Sequence, residues 1–276
     1  MEIEREVAQH YARSGLEAAI LAALAASGRD PDRLAPDDLA AVDEFHLGWR
    51  AATVALAEDL ALAPDEQVLD IGSGIGGPAR HFTAAHGCRV VGIDLTEDFV
   101  RTAGALTRRC GLADRVAFCR ASALALPFAG GGFDAATLLH VGMNIADKAG
   151  LFREARRVLK PGGRFGVYDL MRVGEGEIAC PVPWATTEET SFVATADAYR
   201  RLLGAAGFAV VATTDRRELA LALWREMGAR VAREGPPRLG LHLLMGPTAP
   251  QRLSNVIGAV ERGVLAPVQM VARAAG

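Results

Sequence analysis

Apolar positions recur at helical spacing at the start of the chain, and the period changes later. Ala18, Leu21, Leu24 and Ala25 repeat as one face of a helix does. Arg29-Asp30-Pro31-Asp32 breaks the pattern, and residues 51–62 carry a second striped helix that ends before Ala63-Pro64. From residue 67 to about 170, short continuous apolar runs (68–71, 89–93, 116–119, 133–139 and 164–168) alternate with helix-like stretches at 77–85, 97–110 and 147–159. Runs that are apolar throughout are buried on both faces, which predicts a doubly wound α/β unit with a mostly parallel sheet.

Residues 171–194 lack any period, carry Gly174, Gly176, Pro181 and Pro183, and read as a long lid loop. Thr195 is placed to cap a helix running to Leu203, followed by a strand over 209–214. A helical insertion over 218–261 puts Leu219, Leu223, Trp224, Met227 and Val231 on one face, read as a cap over a pocket, with a homodimer face as the alternative use. The last strand is expected over 264–272, with Pro267 suggesting an irregular start or an edge. The expected organisation is therefore an N-terminal helical cap over 1–62 and a core over 63–276.

Composition narrows the function without naming it. Half of the 276 residues are hydrophobic and 23% are charged, which excludes a disordered chain. A net charge of −3 gives no bulk electrostatic reason to expect nucleic acid or a membrane surface as partner. No apolar run approaches the ~20 residues of a spanning helix, and the acidic start (Glu2, Glu4, Glu6) is unlike a secretory leader. The four cysteines, Cys88, Cys110, Cys119 and Cys180, lack metal-ligand spacing, so no metal site is expected and a cytoplasmic setting is.

The chemistry concentrates in Val68-Leu69-Asp70-Ile71-Gly72-Ser73-Gly74-Ile75-Gly76-Gly77, a strand leading through a glycine-rich turn into a helix with Pro78 in its first turn. Gly72, Gly74 and Gly77 satisfy the dinucleotide spacing G-x-G-x-x-G, and Asp94 lies 22 residues after Gly72, where it could hold ribose hydroxyls. That reading makes the protein an NAD(P)-dependent oxidoreductase. Asp70 argues against it, because a carboxylate at the strand end opposes a pyrophosphate and favours an ammonium or sulfonium group. Gly76 supplies the alternative spacing G-x-G-x-G.

At this point the sequence resembles the class I S-adenosylmethionine-dependent methyltransferases. The glycine loop is similar to their first motif, Val91-Gly92-Ile93-Asp94-Leu95 to their second strand, Phe133-Asp134-Ala135-Ala136 to their fourth, and Val158-Leu159-Lys160-Pro161-Gly162-Gly163 to the turn entering their fifth. Among them the chain looks like the small-molecule enzymes of quinone biosynthesis, sarcosine/dimethylglycine and sugar O-methylation.

The resemblance implies a Rossmann-like seven-stranded sheet with an antiparallel last strand, S-adenosyl-L-methionine as cofactor, and a small, partly apolar metabolite as methyl acceptor at O, N or C. It also implies roles. Asp70 and the amides of Gly72, Ser73 and Gly74 would face the methionine part, Asp94 and Leu95 the ribose, and Ser122 and Ala123 the adenine edge, where many relatives carry Asp in place of Ser122. His140, at the end of the fourth strand, would sit near the sulfonium and, with Asp169 after the fifth, would be the catalytic pair. His46, Trp49 and Asn144 would line the acceptor pocket, with Tyr11, Cys180 and Trp184 as weaker candidates. A cofactor-binding protein without catalysis would carry the same motifs.

Overall fold

The computed structural model describes residues 2–276; Met1, the first residue of the expected cap, lies outside them. Four helices come first: α1 (Glu2–Tyr11), α2 (Leu16–Ala26), α3 (Pro36–Asp43) and α4 (Trp49–Asp59). The alternating region follows as β1 (Gln67–Ile71), α5 (Gly77–His86), β2 (Arg89–Asp94), α6 (Glu97–Arg109), β3 (Val116–Arg120), β4 (Phe133–Leu139), α7 (Lys148–Val158) and β5 (Leu159–Arg172). The chain closes with α8 (Ala196–Ala205), β6 (Phe208–Asp215), α9 (Arg217–Glu234), the short α10 (His242–Met245), α11 (Ala249–Glu261) and β7 (Leu265–Ala274).

The seven strands form one sheet in the order β3-β2-β1-β4-β5-β7-β6. Pairings from β3 to β5 are parallel, and β7 runs antiparallel to both β5 and β6. Period-two alternation sorts the strand side chains onto two faces. Leu69, Ala136, Leu138 and Val167 pack with Phe152 of α7 and Tyr199 and Leu203 of α8. Val68, Ala135, Leu139 and Tyr168 pack on the other face against Leu56 of α4 and Phe82 of α5. Strand order reverses between β1 and β4, and in open α/β sheets such a switch point opens a crevice at the strands' carboxyl ends. Asp70 and Ile71 end β1 there, Gly72 begins the turn, and His140 follows β4.

Three details differ from the sequence expectations. β5 continues through Arg172, because its antiparallel ladder with β7 runs from Arg164 to Arg172, so the lid segment starts two residues later than expected. β7 is an interior strand despite Pro267. The Pro267 carbonyl accepts the Arg216 N–H, so its donorless nitrogen faces the same side, where the β6 ladder ends and no donor is needed. Finally, α9 does not roof a pocket: residues 225–238 are exposed apart from half-buried Met227, and only Ala220 and Leu221 of the helix are buried.

The helices preceding β1 are tied to the core by a buried ion pair. Arg80 on α5 is fully buried and donates to Asp43 Oδ2 and the Ile75 carbonyl, both at 2.8 Å, and to Thr107 Oγ1 on α6 at 3.0 Å. Among the described residues, no helix is long and apolar enough to cross a membrane.

Candidate active site

The β1–α5 turn bends sharply because Gly72, Gly74 and Gly76 take φ of +74°, +53° and +86°. A Cβ on Gly72 would lie 2.3 Å from Val141 Cγ2, so the turn packs directly on the segment after β4. Nothing lies within 4 Å of a Cβ built on Gly74, which faces open space. Gly72→Ala is therefore expected to disturb both sides of the crevice. The left-handed backbone alone costs about 1–2 kcal/mol, and the overlap adds to it. A denaturation midpoint in urea lowered further than in a Gly111→Ala control, which shares the left-handed φ but has open surroundings, checks this.

A cavity of about 340 Å³ opens above the turn. Its floor holds Asp70, Ser73, Gly74, Asp94, Leu95, Ser122 and Ala123, and its far side His46, Trp49, His140, Met143, Asn144, Leu170, Trp184, Leu244 and Val256. Segments remote in sequence thus share one space.

Asp70 is 1% exposed. Its Oδ1 accepts the Thr137 hydroxyl at 2.8 Å, while Oδ2 has no partner among the described residues. Burial pushes its carboxyl up to about 7, against the pull of Thr137. Asp94 accepts the Gly74 N–H on Oδ2 at 3.0 Å and the Thr96 N–H on Oδ1 at 2.8 Å. Burial outweighs those bonds and leaves its carboxyl above the usual value.

His140 takes φ +53°, an uncommon conformation for a residue with a Cβ, and is held there by its N–H to the Tyr168 carbonyl at 2.7 Å. Its ring stacks on Tyr168 at 5.3 Å and 8°, and its Nε2 has no partner among the described residues. Burial, then the facing His46, hold its pKa well below the ordinary histidine value, so it is neutral.

His46 reaches the cavity because Tyr168 donates to the Leu47 carbonyl at 2.7 Å and pins the turn that starts α4. It pairs with Glu44 at 2.9 Å, and Thr53 donates to the same carboxylate oxygen at 2.6 Å.

A carboxylate beside a glycine turn at the switch point, with a second at the end of β2, is the arrangement the sequence motifs anticipate. Known proteins agree. The family described as "Methyltransferase domain" matches residues 69–167. The chain belongs to the class I S-adenosylmethionine-dependent methyltransferases. It is 38% identical over 114 residues to the sterol 24-C-methyltransferase ERG6B of Gibberella zeae, covering 41% of this chain and 30% of that one. It thus spans under a third of the sterol enzyme it matches. It is 30% identical over 184 residues, 66% of each chain, to the methyltransferase GfsG of Streptomyces halstedii. Among solved structures it is similar to the [4+2]-cyclase SpnF, with a TM-score of 0.64 and 25% identity over 81% of this chain and 80% of that one.

The structure gives several of the expected site residues partners inside the fold. The amides of Gly72, Ser73 and Gly74 already have hydrogen-bond partners within the fold. The first two donate to the Ile93 carbonyl at 2.8 Å and the third to Asp94. The tight turn consumes its own donors.

Asp169 is absent from the cavity wall. It is fully buried, accepts the Tyr199 hydroxyl at 2.6 Å and braces the turn at Gly142. Burial raises its pKa to about 6, and it is a positioning residue for the segment 140–144. Asn144 lines the cavity but is tied to α1, since its Oδ1 accepts the Tyr11 hydroxyl at 3.1 Å. Tyr11 and Trp184 line the wall and Cys180 does not. Ser122 donates to Glu4 of α1, so a carboxylate stands beside the position where many relatives carry Asp.

Glu44 and Glu4 are not legible as site residues from sequence. For Glu44 a signal existed: residues 44 and 46 are two apart in a non-helical stretch, which puts them on one side. For Glu4, 118 positions from Ser122, there was none.

Proposed function

We propose that the protein binds S-adenosyl-L-methionine across the β1–β4 switch point and transfers its methyl group in line to a small, partly apolar metabolite. The observation that carries this is the unpartnered Asp70 Oδ2 beside the open face of Gly74, in one cavity with Asp94. A buried carboxylate oxygen without a partner is costly unless a ligand supplies a donor, and the α-ammonium of the cofactor is such a donor. Asp94 keeps lone pairs for two ribose hydroxyls, and Ile93, Leu95, Ala123 and Leu124 offer an apolar slot for a planar base. Once bound, the cofactor supplies an electrophilic methyl on a cationic sulfur. The chain's own contribution is to hold the reactants together and exclude water, an effect that can reach about 7–11 kcal/mol.

In this reading residues 1–62 are the cap over the core 63–276, which carries the lid segment 171–194 and the helical insertion 218–261. The wall contacts come from α1, the 183–184 turn, α10 and α11 rather than from α9. Free thiols agree with a cytoplasmic setting. A melting assay with S-adenosylhomocysteine and with NAD separates the readings: stabilisation by the thioether alone supports this one, and by NAD alone the oxidoreductase.

Binding carries a pH signature. Only ionised Asp70 attracts an ammonium, and its pKa in the free protein is about 7, so affinity falls as pH drops through 7. Calorimetry is expected to show S-adenosylhomocysteine bound about ten-fold more weakly at pH 6 than at pH 8, with the dependence lost in Asp70→Asn.

The likeness to a [4+2]-cyclase favours a second reading, an enzyme that keeps the cofactor site without transferring methyl. Methyl-labelled cofactor incubated with a metabolite extract distinguishes the two, since only the first yields labelled product.

A further inference from the structure

Cofactor binding leaves unused one cluster of which His46 lines the cavity. Glu44 is fully buried, its Oε2 lies 2.9 Å from His46 Nε2, and Arg50 Nε stands 2.6 Å from its Oε1. Burial pushes the Glu44 carboxyl up, but His46, Arg50 and Thr53 together outweigh burial and hold it below the usual value. An ionised carboxylate can only accept, so His46 donates through Nε2–H. That fixes the tautomer and leaves Nδ1 with its lone pair, and Nδ1 has no partner among the described residues.

We propose that His46, oriented by Glu44, is the base that takes the proton from a hydroxyl of the methyl acceptor, and that the acceptor is an uncharged, largely apolar molecule carrying that hydroxyl. This rests on the methyltransferase reading above.

Three observations support the assignment. His46 stands at the border of the two halves of the cavity: it lines the same space as Asp70, and its ring lies 5.8 Å edge-on from His140. Of the two histidines, only His46 has a carboxylate to stabilise an imidazolium. His140 stacks on Tyr168, whose hydroxyl is committed to Leu47, so His140 is suited to hold the hydroxyl and not to keep its proton. Lastly, none of the described lining residues is Lys or Arg, while Val7, Phe45, Leu47, Met143, Leu170 and Trp184 line the wall. A phosphate or carboxylate on the acceptor would enter without a counter-charge.

The step balances. The acceptor oxygen forms a bond to the methyl carbon as the carbon–sulfur bond breaks, and that bond's electron pair stays on sulfur as a neutral thioether. The hydroxyl proton passes to His46 Nδ1. The positive charge that began on sulfur ends on the imidazolium beside Glu44.

The test uses the full chain. The groups facing His46 are Glu44, Arg50 and Thr53, with Asp70 on β1, His140 after β4 and Tyr168 on β5. Imidazole ¹⁵N spectra at pH 7 are expected to show His46 with Nε2 protonated and Nδ1 bare; the reverse tautomer overturns the proposal. Calorimetry with S-adenosylhomocysteine is expected to give binding within about three-fold of wild type for His46→Ala and Glu44→Gln. Absence of binding by the wild type instead refutes the methyltransferase reading itself.

Labelled methyl transfer is then measured to a panel of uncharged phenols and alicyclic alcohols, with amines and alkyl diphosphates alongside. Hydroxyl labelling is expected, with kcat about 10²–10⁴-fold lower in His46→Ala and KM little changed. In Glu44→Gln kcat is expected to fall while KM changes little, because the imidazolium has lost its carboxylate. Labelling confined to amines or diphosphates, no hydroxyl labelled, or hydroxyl labelling that His46→Ala leaves intact overturns the proposal.

Discussion

Replacing Asp94 by alanine is expected to weaken S-adenosylhomocysteine binding by about 10²–10⁴-fold. Two ribose hydroxyls donate to one charged carboxylate, and each such bond contributes roughly 1.5–3 kcal/mol. The structure adds a second consequence. The same carboxylate accepts the Gly74 and Thr96 amides, so its loss also loosens the turn that presents Asp70. Asp94→Asn keeps one acceptor oxygen and is expected to fall between the two. Calorimetry on folded protein measures the effect, and a loss under ten-fold for the alanine variant would place the ribose elsewhere.

The largest expected effect on stability comes from Arg80→Ala. Its guanidinium is fully buried and bonds Asp43, Ile75 and Thr107, so removing it leaves the Asp43 carboxylate buried beside unpaired acceptors. Breaking a buried pair from one side costs about 3–5 kcal/mol. For a chain of this size that lowers the melting temperature by on the order of 10 °C. The pair is also expected to be replaceable. Arg80→Met combined with Asp43→Leu removes both charges and should recover much of the loss, because desolvation offsets most of a buried pair's attraction. Thermal unfolding followed by circular dichroism checks both. A single variant that melts like the wild type would mean that the pair does not tie α3 to α5.

The site divides along the same line as these two variants. Asp94 is readable in sequence because it ends a buried strand after a glycine loop at a characteristic interval. Arg80 is one arginine among many, and nothing local distinguishes the one that is enclosed. Asp169 shows the converse. Its place at the end of a strand suggested the crevice, yet the strand's alternation turns it to the face covered by α7 and α8, where Tyr199 closes it off. His140 and Asp169 each come one residue after the paired Leu139 and Tyr168, and only the first reaches the cavity.

The helices show the same limit. Periodicity located the stripe of α9 but not its neighbour: the stripe is half-buried up to Met227, with Trp224 packed on the cluster of α11, while α10 and α11 line the pocket. Helical spacing says that one face is apolar, and what covers that face depends on where the chain returns.

The alternating sheet, the glycine turn and the two carboxylates at its edge are written in the chain itself, because each is encoded within a few residues by period, backbone freedom or position at a strand end. Which polar atoms are left without partners is settled only once the chain has folded. Among the described residues, Asp70 Oδ2, His46 Nδ1 and His140 Nε2 are left without partners, and the amides of Gly72, Ser73 and Gly74 are spent, through contacts between residues far apart in the chain. Hydrogen-bond saturation is a property of the enclosing neighbours in space, and no local pattern carries it.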